Sequence, residues 1–134
     1  MREHSFVKVL TVRQPWAHLI VSGHKDIENR SWQTPYRGLL YIHAGSHMHA
    51  TPIPQIERRF GLSIDPEQLI FGAIVGWVTL VDIVERSDSP WFDGPYGWVL
   101  SNAEAFAGAS IPGRQKIFDI PENIVRPPPL RAGR

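Results

Sequence analysis

The sequence predicts an α+β fold: a small barrel of five or six mostly antiparallel strands with two or three short helices. Two observations carry that expectation. Five apolar runs have strand character, whereas only two short stretches repeat apolar residues at helical spacing. The longest run, 71–84, is apolar on both faces, with Ala73, Val75, Trp77, Thr79 and Val81 on one and Ile74, Val78 and Leu80 on the other. A strand covered on both sides suits the middle of a closed or nearly closed barrel with a helix packed outside.

The first strand, 6–12, is rich in β-branched and aromatic residues and stops at Arg13-Gln14-Pro15. Pro15 suits a first helical position, and Trp16, Leu19 and Ile20 then recur at i, i+3 and i+4 up to Gly23, giving a two-turn helix with one apolar stripe. An extended segment follows from residue 27. The polar run 33–38 reads as a loop and 39–44 as a strand, with Leu39, Tyr41 and His43 on one face and Leu40, Ile42 and Ala44 on the other. After a histidine-bearing loop, Thr51 and Pro52 can start a second helix that turns Ile53, Ile56 and Phe60 inward and Arg58 and Arg59 outward, ending at Gly61. Gly72 and Gly76 are places where the long strand can bend. A turn at 87–90, a strand at 97–100 and a short last strand at 117–120 complete the pattern, and Pro127-Pro128-Pro129 opens an extended tail. The expected organisation is one domain over 1–125 and a Pro/Arg-rich tail over 126–134.

Hydrophobic residues make up 43% of the chain and charged residues 20%, as in a soluble globular protein, and no apolar run reaches the roughly 18 residues that a membrane span needs. Residues 1–5 show no apolar export segment. Cysteine is absent, which excludes disulfides, zinc ribbons and thiol catalysis and fits a reducing compartment; a cytoplasmic location is expected. The formal net charge is only +1, so an anionic partner must be met by local placement of charge. From residue 114 onward Arg114, Lys116, Arg126, Arg131 and Arg134 stand against Asp119 and Glu122, a basic end able to add phosphate contacts.

The other elements look like support for Gly23-His24-Lys25-Asp26-Ile27-Glu28-Asn29-Arg30. Gly23 can take the positive φ of a helix stop, which leaves Lys25 in the turn, free to aim at a cavity. The carbonyls at the helix end and the neighbouring acids favour a charged Lys25. Strand alternation puts Glu28, Arg30 and Trp32 on one face, where the carboxylate can hold the guanidinium in a bidentate pair beside an aromatic surface. A surface lysine and a structural ion pair are the plainer readings of the same residues.

With gaps this stretch is GxKxxExR, and in that form it resembles the motif of the ASCH domain, named for homology to activating signal cointegrator and grouped with the PUA-like barrels. Arg13-Gln14-Pro15-Trp16, Tyr36-Arg37-Gly38, Ile42-His43-Ala44, Ser89-Pro90-Trp91-Phe92 and Gly97-Trp98-Val99-Leu100 are similar to bacterial and phage members in particular. The resemblance runs from about Leu10 to about Phe118. It implies a small barrel with a charged cleft that binds RNA or another single-stranded nucleic acid. Some similar bacterial proteins are enzymes on nucleosides, which implies as the alternative a hydrolase like those acting on N4-acetylcytidine. Those relatives carry threonine three residues after the motif lysine, and here that position is Glu28.

The candidate binding residues are Arg13, Trp16, Lys25, Glu28, Arg30, Trp32, Arg37, His43, Trp91 and Trp98: the cations and aromatics among them are of the kind that neutralise phosphates and stack bases, Glu28 is the carboxylate that positions Arg30, and His43 is a pocket wall. Among them Trp16 and Trp98 also read as core positions, whereas Trp91 reads as exposed in a loop that can act as a lid. In an enzyme, Lys25 and Glu28 would be catalytic. A ribonuclease would draw its acid and base from His43, Lys25 and Glu28. The spacing of His43, His47 and His49 matches no common zinc pattern, and no metal or cofactor is expected. Serine-hydrolase elbows, P-loops and dinucleotide fingerprints are missing. The partners expected are therefore RNA, single-stranded nucleic acid or a nucleoside, with no membrane; a bland fourth reading is a module that binds another protein.

Overall fold

A computed structural model describes residues 5–125 of the 134-residue chain. The tail expected from residue 126 lies outside the described residues. The α+β class holds: six strands form one mixed sheet accompanied by three short helices. In chain order, β1 (Phe6–Gln14) leads into α1 (Trp16–Val21), β2 (Ile27–Arg30), β3 (Gly38–Met48), α2 (Ile53–Phe60), β4 (Ala73–Val84), β5 (Tyr96–Ala105), β6 (Ile117–Pro121) and α3 (Glu122–Val125), with a 3-10 turn at Pro66–Gln68. The strand order is β2-β5-β4-β3-β1-β6. Only the β1–β3 pair is parallel, because α1 and β2 form the crossover that a parallel pair requires.

The sheet is not closed into a barrel. β2 pairs with β5 alone, and β6 covers β1 only from Phe6 to Leu10, so the later part of β1 and the outer edge of β2 face each other without a ladder. A side chain spans this open seam: the Arg30 guanidinium on β2 donates to the Thr11 carbonyl on β1 at 2.8 Å.

Both faces of the sheet are covered, as the apolar pattern of 71–84 required. On one, Leu10, Val12, Leu40, Ile42, Val78, Leu80 and Trp98 pack with Ala17, Ile20 and Val21 of α1. On the other, Val9, Tyr41, Ile74 and Phe118 form a second cluster with Trp77. Strict alternation along β4 fails at two places: at Val81, an extra residue where Leu80 pairs with Leu100 but Asp82 with Val99, so that Val81 is 51% exposed and Ile83 packs on the same cluster as Leu80, and just before Gly76. Val75 joins Val78 and Leu80, and Ile74 joins Trp77, because Val75 is an extra residue where Ile42 pairs with Gly76 but His43 pairs with Ile74. Gly76 sits beside this bulge because nothing larger fits: a Cβ there would lie 2.2 Å from the Glu104 carbonyl and 2.8 Å from Val21 of α1. A third cluster, Leu19, Ile27, Ile56, Ile64 and Trp91, fastens α2 over α1 and makes it the surface cover expected.

Candidate functional site

The turn after α1 forms as its glycine predicts. Gly23 has φ +87° with nothing within 4 Å of where a Cβ would stand, so the requirement is conformational rather than steric. His24 and Lys25 both donate their backbone N–H groups to the Leu19 carbonyl, at 3.0 and 2.9 Å, and this folds Lys25 back under the helix. The helix start carries a device that the sequence alone does not reveal. The buried Gln14 side chain accepts from the His18 N–H at 2.9 Å and donates to the Ile70 carbonyl at 2.8 Å, capping α1 while tying it to the loop before β4.

Lys25 is 5% exposed. Its ammonium donates to the Ile27 carbonyl, lies 3.5 Å from Glu28 Oε1, and faces the rings of Trp16 and Trp91 at 5.5 and 5.9 Å. Burial pushes its pKa below the ordinary lysine value, outweighing the opposing pull of Glu28 and then Asp93. That corrects the expected balance, in which the helix end and adjacent acids dominated. Asp26 is directed elsewhere, accepting from the Ser89 hydroxyl at 2.6 Å.

Glu28 connects the two motif cations, but with one oxygen for each. Oε1 faces Lys25, while Oε2 accepts from both Arg30 Nε and a terminal Arg30 nitrogen, each at 2.8 Å. The expected fork-to-fork pair is thus replaced by a three-member chain, Lys25–Glu28–Arg30. Its members open on different spaces. Lys25 and Glu28 line a cavity of about 240 Å³ walled by Trp16, Trp91 and Phe60, with Arg59 and Asp93 also lining it. Glu28 and Arg30 line a broader groove of about 580 Å³, which is the open seam of the sheet. Arg13 from β1, Trp32 after β2, and Arg114 and Lys116 from the loop before β6 complete it.

Asn29, between the two charged residues, holds the neighbouring loop. Its amide nitrogen donates to the Trp91 carbonyl at 2.9 Å, and its oxygen accepts from the N–H groups of Asp93 and Gly94 at 2.8 and 2.9 Å.

Several expected site residues stand elsewhere. Trp91 is no exposed lid: it is 8% exposed and stacked on Phe60 with ring centres 3.6 Å apart. Trp16, expected on the buried stripe of α1, is instead half-buried at the wall between cavity and groove, and Ala17, Leu19, Ile20 and Val21 form the buried face. Trp98 is 0% exposed and offers no face to a ligand; it supports Trp32, meeting that ring edge-on at 4.8 Å and donating to the Trp32 carbonyl at 3.3 Å. Arg37 donates to the carbonyls of its own loop, Thr34 and Tyr36, at 2.8 Å. His43 is buried, with Nε2 2.7 Å from the Ile111 carbonyl and Nδ1 3.1 Å from the Thr11 hydroxyl. It borders a third cavity with Arg13 and His47 that neither Lys25 nor Glu28 lines, so the three residues from which a ribonuclease was expected to draw its acid and base do not share one cavity. Among the described residues no group of histidines and acids is placed to hold a metal ion, and no helix is long and apolar enough to cross a membrane.

An open six-stranded sheet whose GxKxxExR turn links a buried lysine to an exposed groove defines a class of domain. The sequence matches the ASCH domain over residues 10–111, and the chain belongs to that family. It is 34% identical over 130 residues to activating signal cointegrator 1 of Mus musculus and 29% identical over 130 residues to activating signal cointegrator 1 of Homo sapiens. Each comparison covers 86% of this chain and 22% of the relative, so the chain spans about a fifth of the length of these curated relatives.

Proposed function

We propose that this chain binds RNA or another single-stranded nucleic acid through the seam groove and the cavity beside Lys25. The observation that carries the reading is the charge of the groove. Arg13, Arg30, Arg114 and Lys116 line it against one carboxylate, Glu28, which already faces Lys25 and Arg30, in a chain whose formal net charge is only +1. Four cations along one channel suit a run of phosphates, and Trp32 and Trp16 supply aromatic surface beside them. Membership of the ASCH family supports the same reading through the PUA-like resemblance.

The test is retention of a labelled oligonucleotide across a salt series. Arg30→Ala is expected to weaken binding and to flatten the slope of log affinity against log salt by roughly 0.7 to 1 for each phosphate that is no longer neutralised. Lys25→Ala should weaken binding too. Affinity that ignores salt and both substitutions removes the proposal.

A second reading, hydrolysis of a modified nucleoside such as N4-acetylcytidine, draws on a different observation. A lysine that is buried, lowered in pKa and set beside a carboxylate in a small aromatic-walled cavity has the surroundings of a general base. Scoring turnover of a nucleoside panel separately from oligonucleotide retention distinguishes the two readings.

A further inference from the structure

The loop before β6 contributes more to the groove than charge. Lys116 has φ +60°, a left-handed conformation that side chains other than glycine rarely adopt, and its ammonium lies 5.6 Å from the centre of the Trp32 ring. Both ends of the loop are fastened. The Ile111 carbonyl lies 2.7 Å from His43 Nε2, the Ile111 N–H donates to the Gly72 carbonyl at 3.1 Å, and Ile117 is the first β6 residue paired with β1. Gly113 is wedged against Thr11 and His43, where a Cβ would come within 2.9 and 3.0 Å. On the opposite wall Trp32 is held edge-on by the fully buried Trp98 while being only partly buried itself. A rigid aromatic face is thus covered by one long-stemmed cation on a tethered loop. Arg13, Arg114 and Lys116 have no ion-pair partner among the described residues.

We propose that Trp32 is a stacking platform for one unpaired base, and that Lys116 leaves its face to meet the adjoining phosphate when the base arrives. The exchange fits the chemistry of both sides. A base is a larger, flatter partner for an indole than an ammonium is, and a phosphate is a better partner for an ammonium than a ring is. A base paired in a duplex presents only its edge, so the groove selects single strands. This rests on the nucleic-acid reading given above and goes beyond it by naming the subsite and its strandedness.

The experiment uses the full chain and a fluorescein-labelled ten-nucleotide single strand, the same strand with abasic positions, and its duplex, followed by fluorescence anisotropy. Wild type is expected to favour the single strand and to lose affinity for the abasic strand. Trp32→Ala should weaken the single strand about 5- to 100-fold with the salt slope unchanged, and should no longer distinguish the abasic strand. Trp32→Phe should keep most of the affinity. Lys116→Ala should lower the salt slope by roughly 0.7. If Trp32→Ala does not fold, judged by its thermal transition, the abasic comparison on wild type decides. Equal affinity of wild type for abasic and intact strands, or tighter binding of the duplex, overturns the platform. Should Arg30→Ala still weaken binding in that case, the broader reading stands while this one falls; a wild type that retains no nucleic acid removes both.

Discussion

Glu28 is the residue on which the motif depends, because among the described residues it is the one carboxylate that pairs with both Lys25 and Arg30. The side chains of Lys25 and Glu28 are 5% and 10% exposed, so removing one charge leaves the other in a low-dielectric setting without its partner. Breaking such a pair costs more than the pair contributes, since the uncompensated ion keeps its desolvation cost. Glu28→Gln is therefore expected to destabilise the fold by about 2 to 4 kcal/mol, read from the midpoint of urea unfolding. Adding Lys25→Met, which removes the orphaned cation and keeps an unbranched chain of similar length, should recover part of the deficit. If the double variant is no more stable than Glu28→Gln, Lys25 carries no charge cost and the three-member chain is the wrong description. Lys25→Arg, conservative on charge alone, would have to fit a guanidinium under Trp16 and Trp91, where the lysine is already enclosed. From the sequence this lysine reads as a turn residue aimed at a cavity. Its position is legible from Gly23, but its burial is not, because the two tryptophans that enclose it come from α1 and from a loop more than sixty residues away.

At the scale of elements, apolar runs bounded by glycine and proline locate five of the six strands, with β2 legible only as the extended segment after the Gly23 turn, yet they truncate β3 and β5. The ends of those strands, 45–48 and 101–105, are largely polar or exposed and persist through irregular pairing. Periodicity sees only the half of a strand that is buried. The same limit hides the role of Asn29. Alternation assigns it to the face opposite Glu28, which is where it lies, but nothing local reveals that it binds three backbone groups of the 91–94 loop. Those bonds are what keep Trp91 against Phe60 and over Lys25. Asn29→Ala should therefore speed hydrogen exchange of the Asp93 and Gly94 amides by about tenfold while amides in the centre of β4 remain protected, a destabilisation of about 1 to 2 kcal/mol confined to the loop. Uniform acceleration across β4 would mean that Asn29 supports the whole fold instead of one wall of the cavity. Arg114 and Lys116 are equally hidden: they register in the sequence as a basic end, and only the β1–β6 pairing carries them to the groove.

The whole molecule is an incompletely closed sheet, and its seam is kept usable from two directions. Arg30 bridges β2 to β1 from one side. From the other, His43 on β3 binds the Thr11 hydroxyl on β1 and the Ile111 carbonyl at the root of the basic loop, so a single imidazole joins two strands to the segment bearing Arg114 and Lys116. Burial lowers its pKa, against the raising effect of the Ile111 and Gly72 carbonyls. In the unfolded chain the same group titrates near 6.5. Between that value and the lower folded one, the unfolded state holds a proton that the native state does not, so stability rises with pH through this window and declines on acidification from about 6.5 downward. Above about 6.5 both states are neutral and the contribution is flat. His18 has the same sign, lowered first by burial and then by His24. Urea midpoints measured from about pH 7.5 down to about 5 should fall, by at most about 1.4 kcal/mol per pH unit for each such histidine. His43→Gln, which keeps a donor for the Ile111 carbonyl and cannot ionise, should reduce that slope even if it lowers stability at every pH, and His18→Gln should reduce it separately. The discriminating quantity is the slope and not the midpoint itself. A His43→Gln slope equal to that of wild type would show that His43 is not the buried neutral tether between the sheet and the groove loop.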